Sequence, residues 1–239
     1  MRFSADDLAG RILYKDDAIL VLNKPAGLAV HAGPKGGVTL DQFLPDLRFG
    51  KPENPQLAHR LDKETTGCLV LGRNKASLKR LGAAFQSGRV EKTYCAIVCG
   101  IPVEPAGRIT LPLARRSHDK RSWWMKVAVE GESGAESAAT RYRILATGEG
   151  MAFVALAPET GRTHQLRVHC AAMGWPIAGD GIYGGDRAMA ASRQLCLHAA
   201  RIALPGCVAV EAPLPDAMRD FLSLIGIEAV LSHPLPSSV

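Results

Sequence analysis

Residues 11–25 read RILYKDDAILVLNKP. Two apolar runs flank a pair of aspartates, and each run is too short for a helix of its own. Paired aspartates suit a tight turn, so two strands are expected here, at 11–17 and 18–25. A turn that tight reverses the chain, which makes the pair antiparallel. The same signal recurs further on. KTYCAIVCG from Lys92, GRITLPL from Gly107, ATRYRILA (139–146), MAFVALAP (151–158) and QLCLHAARIAL from Gln194 all read as strands. Helices are fewer. NKASLKRLGAAFQSG (74–88) opens on an N-cap asparagine, closes on Gly88, and sets Leu78, Leu81 and Phe85 on one face. A second helix is expected from near Thr163 to just before Gly174, and a third at PDAMRDFLSLIG with Pro215 near its start. TLDQFLPDL (39–47) reads as a short helix disturbed by Pro45, and GWPIAGDGIYGGD from Gly174 as a long glycine-rich loop. Strands that follow one another, rather than alternating with helices, predict an α+β fold with a largely antiparallel mixed sheet flanked by helices and loops.

The chain has 239 residues, 47% of them apolar, enough for one sizeable core. Residues 1–231 are expected to form a single domain, with 232–239 a loose tail. The opening MRFSADDLAG lacks the apolar core of a signal peptide, and no apolar run is long enough to cross a bilayer. A cytoplasmic location is therefore expected. Six cysteines lie scattered without a C-x-x-C pair, which suggests free thiols and fits no zinc template. His164 and His169 stand five apart, off the spacing of a helical metal pair, so no metal site is expected.

The net charge of +6 is unevenly spread. Between His59 and Lys126 stand 14 Lys and Arg against 5 Asp and Glu, whereas the rest of the chain carries 15 against 18. A concentrated basic stretch points to a polyanionic partner, most simply nucleic acid, although a solvated basic face produces the same count. Within it, RRSHDKRSWWMK (115–126) mixes cations with Trp123 and Trp124 and has no clean period. Its charges, on Arg115, Arg116, Lys120 and Arg121, suit phosphate contacts in a loop. The tryptophans are expected to pack inward or against a sheet face.

The stretch HRLDKETTGCLVL (59–71) sets a carboxylate, Asp62, beside basic residues and just ahead of an apolar run. Burial alone would raise its pKa and neutralise it; a guanidinium nearby keeps it ionised. At about 4 Å and an effective dielectric near 20, that attraction is roughly 4 kcal/mol before desolvation. Arg60, Arg162 and Arg167 are the candidate partners, the last two from ETGRTHQLRVHCAAMG. A helix starting near Thr163 would put His164 and Arg167 on one face, with Leu166, Cys170 and Met173 as a neighbouring apolar stripe. Taken singly, Asp62 reads as well as an acceptor for its own turn, Tyr94 as a strand core residue, and Arg162 as a surface charge.

Taken together, HRLDKETTG (59–67), KTYCAIV (92–98) and GRTHQLRVH (161–169) resemble the three main motifs of the RluA-like pseudouridine synthases. NKPAGLAVH (23–31) and PIAGDGIYGG (176–185) are similar as well, and the likeness runs in order from about Ile12 to Leu204. Thr66 stands where serine is commoner and keeps the hydroxyl. The resemblance implies a pseudouridine-synthase fold with a cleft on its sheet, and isomerisation of uridine to pseudouridine in structured ribosomal or transfer RNA without a cofactor. By motif match, Asp62 is the nucleophile, Tyr94 stacks on the uracil, and Arg167 is the basic partner of Asp62, with Arg162 as second choice. Arg60 fills the space left by the flipped base; His59, Thr65 and His164 join it in substrate binding. No separate RNA-binding domain is expected ahead of the catalytic part, and a monomer is expected.

Three rival readings compete with it. LDKETTG and AGDGIYGGD faintly resemble the nucleophile and metal loops of aspartyl-phosphate enzymes, but both spacings fail. Gly179, Gly181 and Gly184 make G-x-G-x-x-G, yet GWPIA is a poor first strand for a dinucleotide fold. A module that only binds RNA explains the charge and leaves Asp62 without a task.

Overall fold

The computed structural model describes residues 3–32, 36–117, 124–228 and 239. In chain order the elements are α1 (Ala5–Ala9), β1 (Ile12–Lys15), β2 (Ile19–Lys24), two 3-10 turns (Leu40–Phe43 and Asp46–Arg48), β3 (Gln56–Leu57), β4 (Thr66–Gly72), α2 (Lys75–Gln86), β5 (Glu91–Cys99), β6 (Ala106–Ile109), β7 (Leu113–Arg115), β8 (Met125–Val127), β9 (Thr140–Gly148), β10 (Met151–Pro158), α3 (Gln165–Ala172), α4 (Gly185–Ala191), β11 (Leu197–Ala203), β12 (Ala209–Glu211) and α5 (Asp216–Leu224). The fold is α+β, and each named strand pair with a defined register is antiparallel. The chain divides into two compact units, one of residues 1–92 with 199–213, the other of 93–198 with 214–239.

The first unit is built outward from the turn that opened the sequence. Asp16 Oδ1 accepts the N–H groups of Ala18 and Ile19, both at 2.7 Å, and so closes the reversal between β1 and β2. β2 then pairs with β4 from Ile19↔Gly72 to Lys24↔Gly67, β3 also pairs with β4, and β12 pairs with β11. Ile19, Val21, Cys68 and Val70 share one face of β2 and β4; Leu81 and Ala84 of α2 and Ile202 and Val210 of β11 and β12 complete this buried cluster. α2 keeps its expected limits. Asn74 and Ser77 form a reciprocal capping box, and Gly88 takes the left-handed conformation just past the helix end. Pro45 splits the expected helix at 39–47 into the two 3-10 turns.

In the second unit β5, β10, β9 and β6 lie side by side in that order, and β7 pairs with β8 as a separate two-stranded ladder. Leu113, Met125, Ala138 and Val168 form a buried cluster against which Tyr183 packs.

Several expectations are corrected. α3 begins at Gln165 rather than near Thr163, because His164 takes a left-handed conformation at φ 54° and Gln165 turns its side chain back to bind the preceding loop. Met173 is exposed at the end of α3 and leaves the expected apolar stripe to Leu166 and Cys170. The expected loop at 174–186 runs at its last two residues into α4, and α1, α4, β3 and β12 have no counterpart in the sequence reading. The ends of the aperiodic 115–126 stretch are strand, Arg115 closing β7 and Met125 opening β8. Trp124, expected to pack inward or against a sheet face, is 48% exposed. Lys120, Arg121 and Trp123 lie outside the described residues.

Candidate active site

In the first unit the Asp62 loop is held from beneath. Lys24, at the end of β2, is fully buried and donates to three carbonyls, those of Pro25, Leu28 and Lys63, each at 2.9 Å. Gly27 N–H adds a bond to the same Lys63 carbonyl at 3.0 Å. The NKPAGL segment therefore grips the backbone one residue beyond Asp62. Burial brings the Lys24 ammonium down from 10.5 to about 7, with the charges of Glu64 and Asp62 working in the other direction. Asp62 is half-buried, and its own carbonyl accepts Thr65 N–H at 3.2 Å to close the turn. Thr65 is buried. At Gly67, φ is 103° and a Cβ would stand 2.2 Å from the Ala199 carbonyl oxygen, so no side chain fits where the motif enters β4.

His59 fixes the other end of the loop. Its Nε2 accepts Val70 N–H at 3.0 Å, while Ala58 N–H donates to the Val70 carbonyl, so the imidazole stands where a carbonyl would continue the β3–β4 ladder. Its ring stacks on Phe85 of α2 at 4.5 Å. Burial, with Lys92 nearby, pushes its pKa down to about 3, and the ring is neutral at pH 7. This anchors the loop through packing and an accepted hydrogen bond, which spends Nε2 on the fold. Arg60 is exposed beside it.

In the second unit Tyr94 is half-buried on β5, level with Leu156 of β10, which is in turn level with Tyr142 of β9. Arg167, buried on α3, donates from Nε and Nη2 to the two oxygens of Asp180 at 2.8 and 2.7 Å. Asp180 Oδ1 also accepts the N–H groups of Ile182 and Tyr183. Burial raises the Asp180 pKa, and the Arg167 fork together with the two backbone donors outweighs it, so the carboxyl is held below its ordinary range. The sequence marked Arg167 as a cation for Asp62. Two of its three nitrogens serve this carboxylate of its own unit. Arg162, the second choice, pairs with Glu136 at 2.5 Å and donates from Nε to the Ser137 carbonyl.

The start of α3 is tied down with unusual density. Gln165 Oε1 accepts from Thr160 Oγ1 and Arg162 N–H, and its Nε2 donates to the Ala139 carbonyl and Thr140 Oγ1. His169, fully buried, bonds Thr140 Oγ1 and the Leu111 carbonyl; burial lowers its pKa. His164 Nδ1 meets the Tyr183 hydroxyl at 2.7 Å, and the Arg167 guanidinium lies over the Tyr183 ring at 5.2 Å. Arg115 and Arg116 are exposed at the end of β7, and the Arg116 guanidinium lies 5.6 Å from the Trp124 ring.

Sequence reasoning assigned no role to Lys24, Gln165, Asp180 or Tyr183. The signals available were a lysine before a proline at a strand end and an aspartate between two glycines. In the sequence Asp180 figures only as a possible metal ligand. With both oxygens taken by Arg167, and Oδ1 also by two backbone donors, it does not serve the aspartyl-phosphate reading. Nor is the glycine pattern a nucleotide loop: a Cβ at Gly179 would stand 1.9 Å from the Gln194 carbonyl oxygen, so the glycine there answers to chain packing. Among the described residues, no cluster of three or more His, Cys, Asp or Glu side chains is arranged to hold a metal, and no helix is long and apolar enough to cross a membrane.

Residues 18–172 match the family model described as RNA pseudouridylate synthase. A Zymomonas mobilis protein named as an uncharacterised RNA pseudouridine synthase is 41% identical over 218 residues, covering 89% of this chain and 97% of that one. The ribosomal large subunit pseudouridine synthase C of Rickettsia bellii is 37% identical over 81% of this chain, which spans 63% of its length. Among solved structures, human RNA pseudouridylate synthase domain containing 4 superposes with a TM-score of 0.80 at 30% identity, covering 93% of this chain and 95% of that one. The chain belongs to the RluA-like family of RNA pseudouridine synthases, which are isomerases.

Proposed function

We propose that this chain isomerises specific uridines to pseudouridine in structured ribosomal or transfer RNA, with Asp62 as the nucleophile on a uridine flipped out of its stack. The N1–C1′ bond breaks, a C5–C1′ bond forms, C5 releases its proton to solvent and N1 gains one. Nothing is oxidised and no group is lost, so the balance requires no cofactor. A glycosidic carbon within a stacked helix is shielded from attack, which is the physical reason for flipping. Tyr94 offers a neutral aromatic face to the uracil, Arg167 is the cation of the reaction, and Arg60 fills the gap left in the stack. Thr65 and His164 line the substrate, and Arg115 and Arg116, with Lys120 and Arg121, meet phosphates. The chain acts as a cytoplasmic monomer, with residues 1–231 as one catalytic domain.

The observation that carries the reading is the support under the Asp62 loop. A buried lysine with three carbonyl acceptors, a glycine that no other residue can replace and a neutral histidine in a strand ladder all hold one short turn. Such preorganisation suits a group that must act in one geometry. The test is release of tritium from protein-free cellular RNA labelled at uridine C5, followed by mapping of the modified site. Asp62→Asn is expected to abolish release while RNA affinity is kept; retained turnover rejects the nucleophile.

A further inference from the structure

Tyr183 is joined to more of the second unit's polar machinery than its place in a glycine-rich loop suggests. Its hydroxyl meets His164 Nδ1 at 2.7 Å and accepts Met125 N–H at 2.9 Å. One face of its ring receives the Arg167 guanidinium, and its own N–H donates to the Asp180 carboxylate that forks Arg167. The ring cannot drift independently of β7 and β8, because it packs on the cluster containing Leu113 and Met125.

Met125 and His164 are the informative partners. Met125 opens β8 immediately after Trp124, and Arg116 N–H donates to the Trp124 carbonyl at 2.8 Å while its guanidinium lies over the exposed indole. Trp124, whose carbonyl and ring both meet Arg116, is thus one residue from a backbone N–H held by the Tyr183 hydroxyl. His164 sits in a left-handed conformation that a residue with a Cβ adopts at a cost, and α3 with Arg167 starts from it. A phenol has one proton and two lone pairs. Met125 N–H takes one lone pair, and His164 Nδ1 takes a second of the three sites.

We propose that Tyr183 is a positioning residue that couples RNA contact at the β7–β8 pair to the placement of His164 and Arg167. This rests on the pseudouridine synthase reading above and deepens it. Displacement of the Trp124–Met125 backbone by bound RNA is transmitted through one hydroxyl to the residue that starts α3.

The test is a double-mutant cycle of Tyr183→Phe with Arg116→Ala, read as single-turnover tritium release at saturating RNA and, separately, as RNA affinity. The phenylalanine keeps the ring beneath Arg167 and removes only the shared hydroxyl. In the otherwise unaltered chain, Arg116→Ala is expected to lower the saturated rate about fivefold, within the range of coupling between residues of one network. In the Tyr183→Phe background it is expected to weaken affinity still, but to leave the rate unchanged. A purely structural tyrosine predicts equal rate losses in both backgrounds, and that result overturns the proposal. So does an Arg116→Ala chain with a full rate at saturation. Should Tyr183→Phe fail to fold, the same cycle with His164→Ala carries the same expectation. If the unaltered chain releases no tritium, the isomerase reading has failed and takes this proposal with it. If it releases tritium and the cycle is additive, the isomerase reading stands and the coupling is refuted.

Discussion

Lys24 shows how much one buried side chain contributes to the Asp62 loop. An ammonium has three N–H groups for the three carbonyls around it; a neutral amine has two, so one of the three loses its lysine donor. Its folded pKa of about 7 lies below the ordinary 10.5, so between those values the unfolded chain binds more protons than the folded one. The folded state therefore gains from this group as pH rises through that window, and carries its full desolvation cost below it. Comparing urea midpoints of the parent chain and Lys24→Met from pH 6 to 9 should show the gap moving in favour of the parent with rising pH; a constant gap rejects the assignment. Asp180 behaves with the opposite sign. Its pKa is lowered, so its stabilisation is present above the unfolded carboxylate value and is lost as pH falls through the folded one. Asp180→Asn removes the carboxylate that the buried Arg167 guanidinium forks and is expected to cost up to about 3–5 kcal/mol, whereas a paired Arg167→Met, Asp180→Leu replacement costs far less. Denaturant titration of both variants checks this.

At the scale of elements, local chemistry sets most boundaries. The Asn74–Ser77 box starts α2, and Asn74→Ala is expected to remove about 1 kcal/mol by denaturant unfolding. The strand periods, the aspartate turn and the glycine past α2 are all short-range signals, which is why they were legible. The misread elements depend on longer-range partners. The start of α3 is decided by Gln165 reaching Ala139 and Thr140, some 25 residues away in sequence. Trp124 is exposed because Met125, its neighbour on the strand, takes the inward position. His59→Ala should cost about 1–3 kcal/mol, since it leaves Val70 N–H without its acceptor. The salt dependence of RNA binding should not change, which filter binding over a salt series can verify. A reduced slope would return His59 to the RNA surface.

For the molecule as a whole, the charge excess between His59 and Lys126 is expected to make RNA affinity depend steeply on salt. Replacing Arg115 and Arg116 together with alanine should flatten that dependence by roughly 0.7–0.9 in log–log slope for each phosphate they neutralise. An unchanged slope would mean that both serve the protein rather than the RNA. What the sequence determined by itself was the antiparallel α+β character, the order of the three motifs and the concentration of positive charge. The first is carried by periodicity and turn chemistry, the second by resemblance to the motifs of a known family and the third by composition, all readable along the chain without tertiary contacts. Only the tertiary structure decided that Asp180 takes two nitrogens of Arg167, that Lys24 lies beneath the Asp62 loop, and that His59 belongs to a strand ladder. Those outcomes depend on which distant donors and acceptors are buried together. Buried polar groups must find partners wherever the chain brings them, and no local pattern records where that will be.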